Sequence, residues 1–170
     1  MTITLIACTD INMGLGDEKG NLLFDLPKDM EYFVKTTTGQ TVVMGRKTWD
    51  SLPKKPLKNR KNIVLTKTLS VGELTLYRGY DNVEVYNSIE DVLELAKTEH
   101  VFVIGGGEIY NQFIKHADEI LMTHVHNISS KAVTFFPSFD FEEWKLVKVV
   151  PHEADEYHKY SFNFATYTRK

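Results

Sequence analysis

Short runs of apolar residues, separated by segments of helical periodicity, organise the whole chain. Ile3 to Cys8, Thr41-Val42-Val43-Met44, Asn62-Ile63-Val64-Leu65 and Val101-Phe102-Val103-Ile104 read as buried strands, because both faces of each run are apolar. Between them, Met30, Phe33, Val34 and Thr37 recur at a spacing of three and four, behind a Pro27 that suits the first helical position, where its missing N–H costs nothing. A helix is predicted from Arg46 through Ser51. Another is expected to carry Ile89, Val92, Leu93 and Ala96 behind the capping pair Ser88 and Asp91. A third follows Gly105-Gly106-Gly107, with Ile109, Tyr110, Phe113 and Ile114 turned inward. Val83 to Tyr86 and Ile120 to His126 complete the strands of this part. Trp144 to Val150 and Tyr157 to Thr168 read as two arms of a long antiparallel pair. Alternating strands and helices predict a mainly parallel sheet covered on both faces, with antiparallel strands added at one edge.

No composition shift, repeat or low-complexity stretch divides the 170 residues, so a single domain over 1–170 is expected. A chain of this length buries roughly 70% of its unfolded surface, and 42% hydrophobic residues supply the core. The net charge of −3 lacks the basic footprint of a nucleic-acid binder. No apolar stretch approaches the roughly 20 residues that span a bilayer. The first residues lack the basic start of a signal peptide. One cysteine, Cys8, cannot form an internal disulfide, which points to a reducing, cytoplasmic setting.

In open α/β sheets, ligands bind beyond the carboxyl ends of the strands. Two turns there share a logic: Gly45-Arg46-Lys47-Thr48 and Gly105-Gly106-Gly107 each join a strand to a helix. Either is a tight turn or an anion site, since a helix N-terminus offers free N–H groups and glycine admits close approach. Neither matches the Rossmann or phosphate-loop fingerprint. Asp29 falls in the first turn of its helix, about 40° from Phe33 at 100° per residue. It is either a solvated partner of the helix dipole or a buried acid with a raised pKa, suited to proton transfer. The basic run Lys54, Lys55, Lys58, Arg60 and Lys61 is either a solvated loop or a site for an anionic substrate tail, gripped by Arg60. His124 and His126 share a strand face, but no third metal ligand is recognisable, so no metal is expected.

Taken in order, these motifs resemble one family. Ile6-Ala7, Gly14 to Gly16, Leu26-Pro27 with Asp29 and Phe33, Val43-Met44-Gly45-Arg46-Lys47-Thr48-Trp49, Arg60 to Leu65, Val103 to Tyr110 and Thr123-His124 resemble the chromosomal-type dihydrofolate reductases over essentially the whole length. The resemblance implies an α/β fold with a central eight-stranded, mostly parallel sheet, an antiparallel C-terminal edge strand and four flanking helices. It implies NADPH-dependent reduction of dihydrofolate to tetrahydrofolate, feeding one-carbon metabolism and thymidylate synthesis, in a cytoplasmic monomer open to antifolate inhibitors.

By this resemblance, Asp29 promotes protonation of the pterin nitrogen beside the hydride-accepting carbon, and Thr123 orients it. Ile6, Ala7, Met30, Phe33, Leu52, Leu57 and Arg60 contact the substrate, with Arg60 on its glutamate α-carboxylate. Gly45, Arg46, Lys47 and Thr48, with Ile104, Gly105, Gly106, Gly107, Glu108, Ile109 and Tyr110, hold the cofactor's pyrophosphate side. Leu65, Thr66 and Lys67 lie toward the adenosine, where Arg46, Thr66 and Lys67 meet the 2′-phosphate. Ala7, Cys8, Leu15, Gly16, Asp17 and Leu22 border the nicotinamide.

Three positions depart from the family pattern. Phe24 stands where a tryptophan is usual, so an indole donor is lost. Val133 replaces an aspartate that steadies the nicotinamide loop. Glu108 repels a nearby phosphate unless it is turned outward. Two alternatives belong beside the resemblance: a riboflavin-pathway reductase of the same fold, disfavoured by Asp29, Phe33 and Arg60 together, and a noncatalytic nucleotide binder, disfavoured by the intact carboxylate and turns.

Overall fold

A computed structural model describes residues 2–68, 71–74 and 77–170. Eight strands form one sheet: β1 (Ile3–Thr9), β3 (Thr41–Gly45), β4 (Lys61–Leu65), β5 (Val83–Tyr86), β6 (Val101–Val103), β7 (Glu119–Val125), β9 (Trp144–His152) and β10 (Phe162–Arg169). Their order is β5-β4-β3-β6-β1-β7-β10-β9. The pairs from β5 to β7 are parallel, and β10 runs antiparallel to both of its neighbours. The C-terminal strand is thus antiparallel as expected, but it lies one place inside the edge, and β9 takes the edge itself. Lys145, Lys148 and Pro151 on β9 discourage further strand pairing at that rim. β2 (Gly14–Gly16) and β8 (Thr134–Phe135) form a separate two-stranded ribbon.

Strand pleating sorts the core into two layers. On one face, Leu5, Val43, Ile63, Val103, Ile120 and Met122 pack with Val92 and Ala96 and with Ile109, Tyr110 and Phe113. Those partners come from α4 (Ile89–Leu95), its C-cap and α5 (Gly107–Phe113). On the other face Ile6, Val42, Met44, Val64, Phe102 and Leu121 pack with Trp49, Tyr32 and Phe33, from α2 (Arg46–Ser51) and α1 (Pro27–Thr37). Leu5, Ile63, Ile120 and Met122 are fully buried, each stabilising the fold by about 1.5–3 kcal/mol relative to exposure. A single helical turn, α3 (Val71–Leu74), and a 3-10 turn at Ile114–His116, directly after α5, complete the helices of the described residues. None of these helices is long and apolar enough to cross a membrane.

Local chemistry sets the element ends. Pro27 opens α1, and Ser88 Oγ accepts from Asp91 N–H to open α4. The second arm of the antiparallel pair begins at Phe162 rather than Tyr157. Asp155 Oδ1 accepts the N–H groups of Tyr157 and His158, at 2.9 and 2.8 Å, and folds that stretch into a turn. The apolar stripe of α1 is only partly covered: Thr37 is buried, but Met30 and Val34 stay exposed at 49% and 41%.

Candidate active site

Asp29 is brought to the sheet by α1 and meets the carboxyl ends of β1 and β7. Cys8 and Thr123 are direct neighbours across those strands. Thr123, almost fully buried, donates its hydroxyl to Asp29 Oδ1 at 2.6 Å, and the Cys8 thiol donates to the same carboxylate. Burial pushes the Asp29 carboxyl above the ordinary aspartate range, against the pull of these two donors. Burial and the Asp29 charge push the Cys8 thiol well up, so it stays protonated and serves as a donor. Of the two readings of Asp29, the acid with a raised pKa is the one found.

The two glycine turns come together at the same end of the sheet, after β3 and β6. Gly45 N–H donates to Gly105 O at 2.9 Å. A side chain on Gly45 would sit 2.9 Å from Ile109 Cγ1, so glycine lets α5 pack directly on the end of β3. Gly105 has φ +125°, a conformation that glycine alone takes at little cost. A Cβ on Gly106 would meet only Thr48 Oγ1, at 3.6 Å, so the surface there is open to an approaching group. Gly45 and Gly106 cap α2 and α5 with no side-chain acceptor, which leaves both first turns with donors to offer. This cradle fits a diphosphate-bearing cofactor. Tyr110 continues the wall inward and donates to Ile6 O at 2.7 Å, its hydroxyl held protonated by burial. Glu108 on α5 is exposed, turned outward as its charge requires, and Lys47 on α2 is exposed too.

Arg46 does not stand free. Its Nη1 pairs with Glu73 of α3 at 2.8 Å, and its Nε lies 3.9 Å from Asp50. Thr66 and Lys67 line a hollow of about 670 Å³ with Tyr86, Asn87, Asp91 and Glu94, outward along the sheet from Asp29.

On the other side of Asp29, Phe33, Leu52 and Leu57 are partly buried against Ile6, Met44 and Trp49, and Met30 is exposed on the same helix. Arg60 is fixed by three contacts: Nη1 donates to Thr37 Oγ1 at 3.0 Å, Nε to Lys58 O at 2.9 Å, and the guanidinium lies 5.7 Å from the centre of the Phe33 ring. Of the basic run, Arg60 is thus ordered by neighbouring groups rather than left in solvent. The structure adds Thr37 to the site, a residue the sequence offers only as part of a helical stripe.

The loop bordering the cleft is tied down by backbone. Gly16 O accepts from Val133 N–H at 2.9 Å and from Thr134 Oγ1 at 3.4 Å, and Phe136 N–H reaches Met13 O at 2.8 Å. Buried Asp10 accepts from the N–H groups of Asn12, Gly14 and Ser129 and anchors the base of the loop. Asp17 accepts from the N–H groups of Lys19 and Asn21, which lowers its pKa and shapes the loop tip. Leu15 packs on the core, whereas Leu22 is exposed. Phe24 meets Tyr160 edge-on at 5.6 Å. The two strand histidines bond elsewhere, His124 to Tyr167 and His126 to Ser161.

Comparison with known proteins agrees with this geometry. Residues 2–169 match the dihydrofolate reductase family. A dihydrofolate reductase of Bacillus subtilis is 36% identical, covering 99% of this chain and 95% of its own. One from Staphylococcus aureus is 34% identical, covering 100% of this chain and 99% of its own. A solved dihydrofolate reductase from Enterococcus faecalis, complexed with NADP(H) and RAB-propyl, superposes with a TM-score of 0.88 at 29% identity, over 99% of this chain and 96% of that one.

Proposed function

Because the chain belongs to the dihydrofolate reductase family, we propose that it performs the family's NADPH-dependent reduction of dihydrofolate to tetrahydrofolate through Asp29. One observation carries the assignment of Asp29: a carboxyl raised by burial and held 2.6 Å from Thr123, at the end of the sheet that also carries the two glycine turns. The nicotinamide, when bound, supplies the hydride. Asp29 accepts hydrogen bonds from the pterin's amino and ring N–H groups and favours a proton on the nitrogen beside the carbon that takes the hydride. Thr123 and Cys8 hold the carboxylate in line. A carboxyl with a raised pKa is suited to this work near neutral pH, where an ordinary aspartate is fully ionised.

Phe33, Leu52, Leu57 and Met30 enclose the pterin and benzoyl rings. The exposed apolar face of α1 is thus surface kept for substrate. Arg60, preorganised by Thr37, pairs with the glutamate α-carboxylate. Ile6 and Ala7 line the floor between substrate and nicotinamide. Gly45 to Thr48 and Gly105 to Tyr110 take the pyrophosphate. Arg46, Thr66 and Lys67 surround the 2′-phosphate and favour NADPH over NADH. Cys8, Leu15, Gly16, Asp17 and Leu22 border the nicotinamide. The setting is the cytoplasm, the active form a monomer, and small molecules rather than nucleic acid or membrane the partners, with antifolates as inhibitors.

The test is loss of NADPH absorbance on mixing the protein with dihydrofolate, with NADH in parallel. Oxidation that requires dihydrofolate and prefers NADPH is expected. NADPH binding without oxidation, or oxidation indifferent to dihydrofolate, overturns the reading.

A further inference from the structure

The turn between β9 and β10 packs against the start of the helix that carries Asp29. Leu26, the N-cap of α1, offers no side-chain acceptor, and Pro27 has no N–H, so Lys28 presents the first N–H of the helix. That donor is satisfied by His158 Nε2 at 3.0 Å, from 130 residues away. His158 is buried, 5% exposed, and packs against the stacked rings of His152 and Phe162 at 4.8 and 5.3 Å.

An acceptor at Nε2 places the ring proton on Nδ1, and Nδ1 lies 2.8 Å from Asp155 Oδ1. The same oxygen takes the N–H groups of Tyr157 and His158, so the carboxylate is fixed before it fixes the ring. The hydrogen bond to His158, with these N–H groups, holds the Asp155 carboxyl below its ordinary range.

We propose that His158, locked by Asp155 in its Nδ1–H tautomer, is a positioning residue for dihydrofolate reduction, pinning the first turn of α1 and so the place of Asp29. It touches neither substrate nor cofactor. It acts by accepting the N–H next in sequence to the catalytic carboxyl, at the positive end of the helix. This rests on Asp29 having the role assigned above. The ligand atoms of His152, Asp155 and His158 also lie within 4.8 Å of one another. A cation on His158 Nδ1 would move the ring proton to Nε2, where it would oppose the Lys28 N–H. The geometry therefore favours the cap over a metal.

The test compares the parent with His158→Leu, His158→Gln and Asp155→Asn. In single-turnover mixing at saturating NADPH and dihydrofolate, His158→Leu is expected to slow hydride transfer about tenfold, the order expected for a lost buried hydrogen bond. NADPH affinity should not move. Glutamine can place an oxygen near the Nε2 position and is expected to restore the rate to within about twofold, which a purely volume-filling role does not explain. Imidazole ¹⁵N spectra of the parent are expected to show Nε2 unprotonated and Nδ1 protonated, with Asp155→Asn mixing the tautomers. A leucine variant as fast as the parent, a glutamine variant as slow as leucine, or a parent proton on Nε2 overturns the proposal. So does zinc binding at this cluster that leaves hydride transfer unchanged. If His158→Leu does not fold, Asp155→Asn carries the test, because that side chain is 41% exposed; a parent-like rate and tautomer then overturn it. A parent that transfers no hydride contradicts the activity itself, while the spectra still report on the dyad.

Discussion

Replacing Asp29 with asparagine separates the chemistry of the site from its packing. The amide keeps the shape of the side chain and an oxygen for the Thr123 hydroxyl, now at 2.6 Å, but it cannot hold or release the proton. A positioned acid contributes about 10²- to 10⁴-fold, which is about 3–5.5 kcal/mol of barrier. The same substitution acts oppositely on stability. Burial raises the Asp29 pKa, so between the ordinary aspartate pKa and the raised one the native state keeps a proton that the unfolded chain has lost. Stability therefore falls as pH climbs through that interval, and the deficit persists at neutral pH. Asparagine carries no such deficit. Asp29→Asn is thus expected to lose about 10²- to 10⁴-fold in hydride transfer at neutral pH while gaining in Tm there. The two proteins should converge in Tm below the ordinary aspartate range. Stopped-flow NADPH absorbance and thermal unfolding over a pH series measure both effects. Parent-like hydride transfer across the pH range refutes the catalytic role; a neutral-pH loss of Tm refutes the burial that the role depends on.

Arg60→Lys loses the fork held by Thr37 and Lys58. The KM for dihydrofolate is expected to rise about tenfold or more, with a far smaller change for a pterin lacking the glutamate tail; steady-state kinetics on both substrates decides. Glu73→Gln removes the carboxylate 2.8 Å from Arg46 and is expected to tighten NADPH binding a few-fold without altering NADH binding, as read by fluorescence titration. Phe113→Ala empties a fully buried position beneath the α5 turn and is expected to lower stability by about 3–5 kcal/mol in urea unfolding.

How much could be read from the chain followed the range of the interactions. Val42 to Met44, Ile63 to Leu65 and Val101 to Val103 announce themselves because each is apolar on both faces and sits in the middle of the sheet. α2 and α4 carry their own start signals in Gly45 and Ser88. The ribbon of β2 and β8 was not legible: strands of three and two residues, about 120 positions apart, leave no period to detect. Met30 and Val34 read only as part of an apolar stripe, because helical spacing cannot distinguish a face covered by protein from one kept for a ligand. Motif order pointed to the family and to the proposed site, and spacing alone left Asp29 and Arg60 undecided. Partners from distant segments were invisible for one physical reason. The Glu73 carboxylate on Arg46, the Thr37 hydroxyl under Arg60 and the His158 ring on Lys28 N–H are single hydrogen-bonding groups whose meeting depends on the finished fold.

The central claim is that burial makes Asp29 a weak acid poised for proton transfer. A ¹³C-carboxyl NMR titration of the free protein, with Asp29→Asn identifying the resonance, tests it most directly. The Asp29 signal is expected to titrate above the ordinary aspartate range, and to move higher still in Thr123→Val, where a donor that lowers it is lost. An Asp29 carboxyl titrating at or below the ordinary aspartate value would contradict the account.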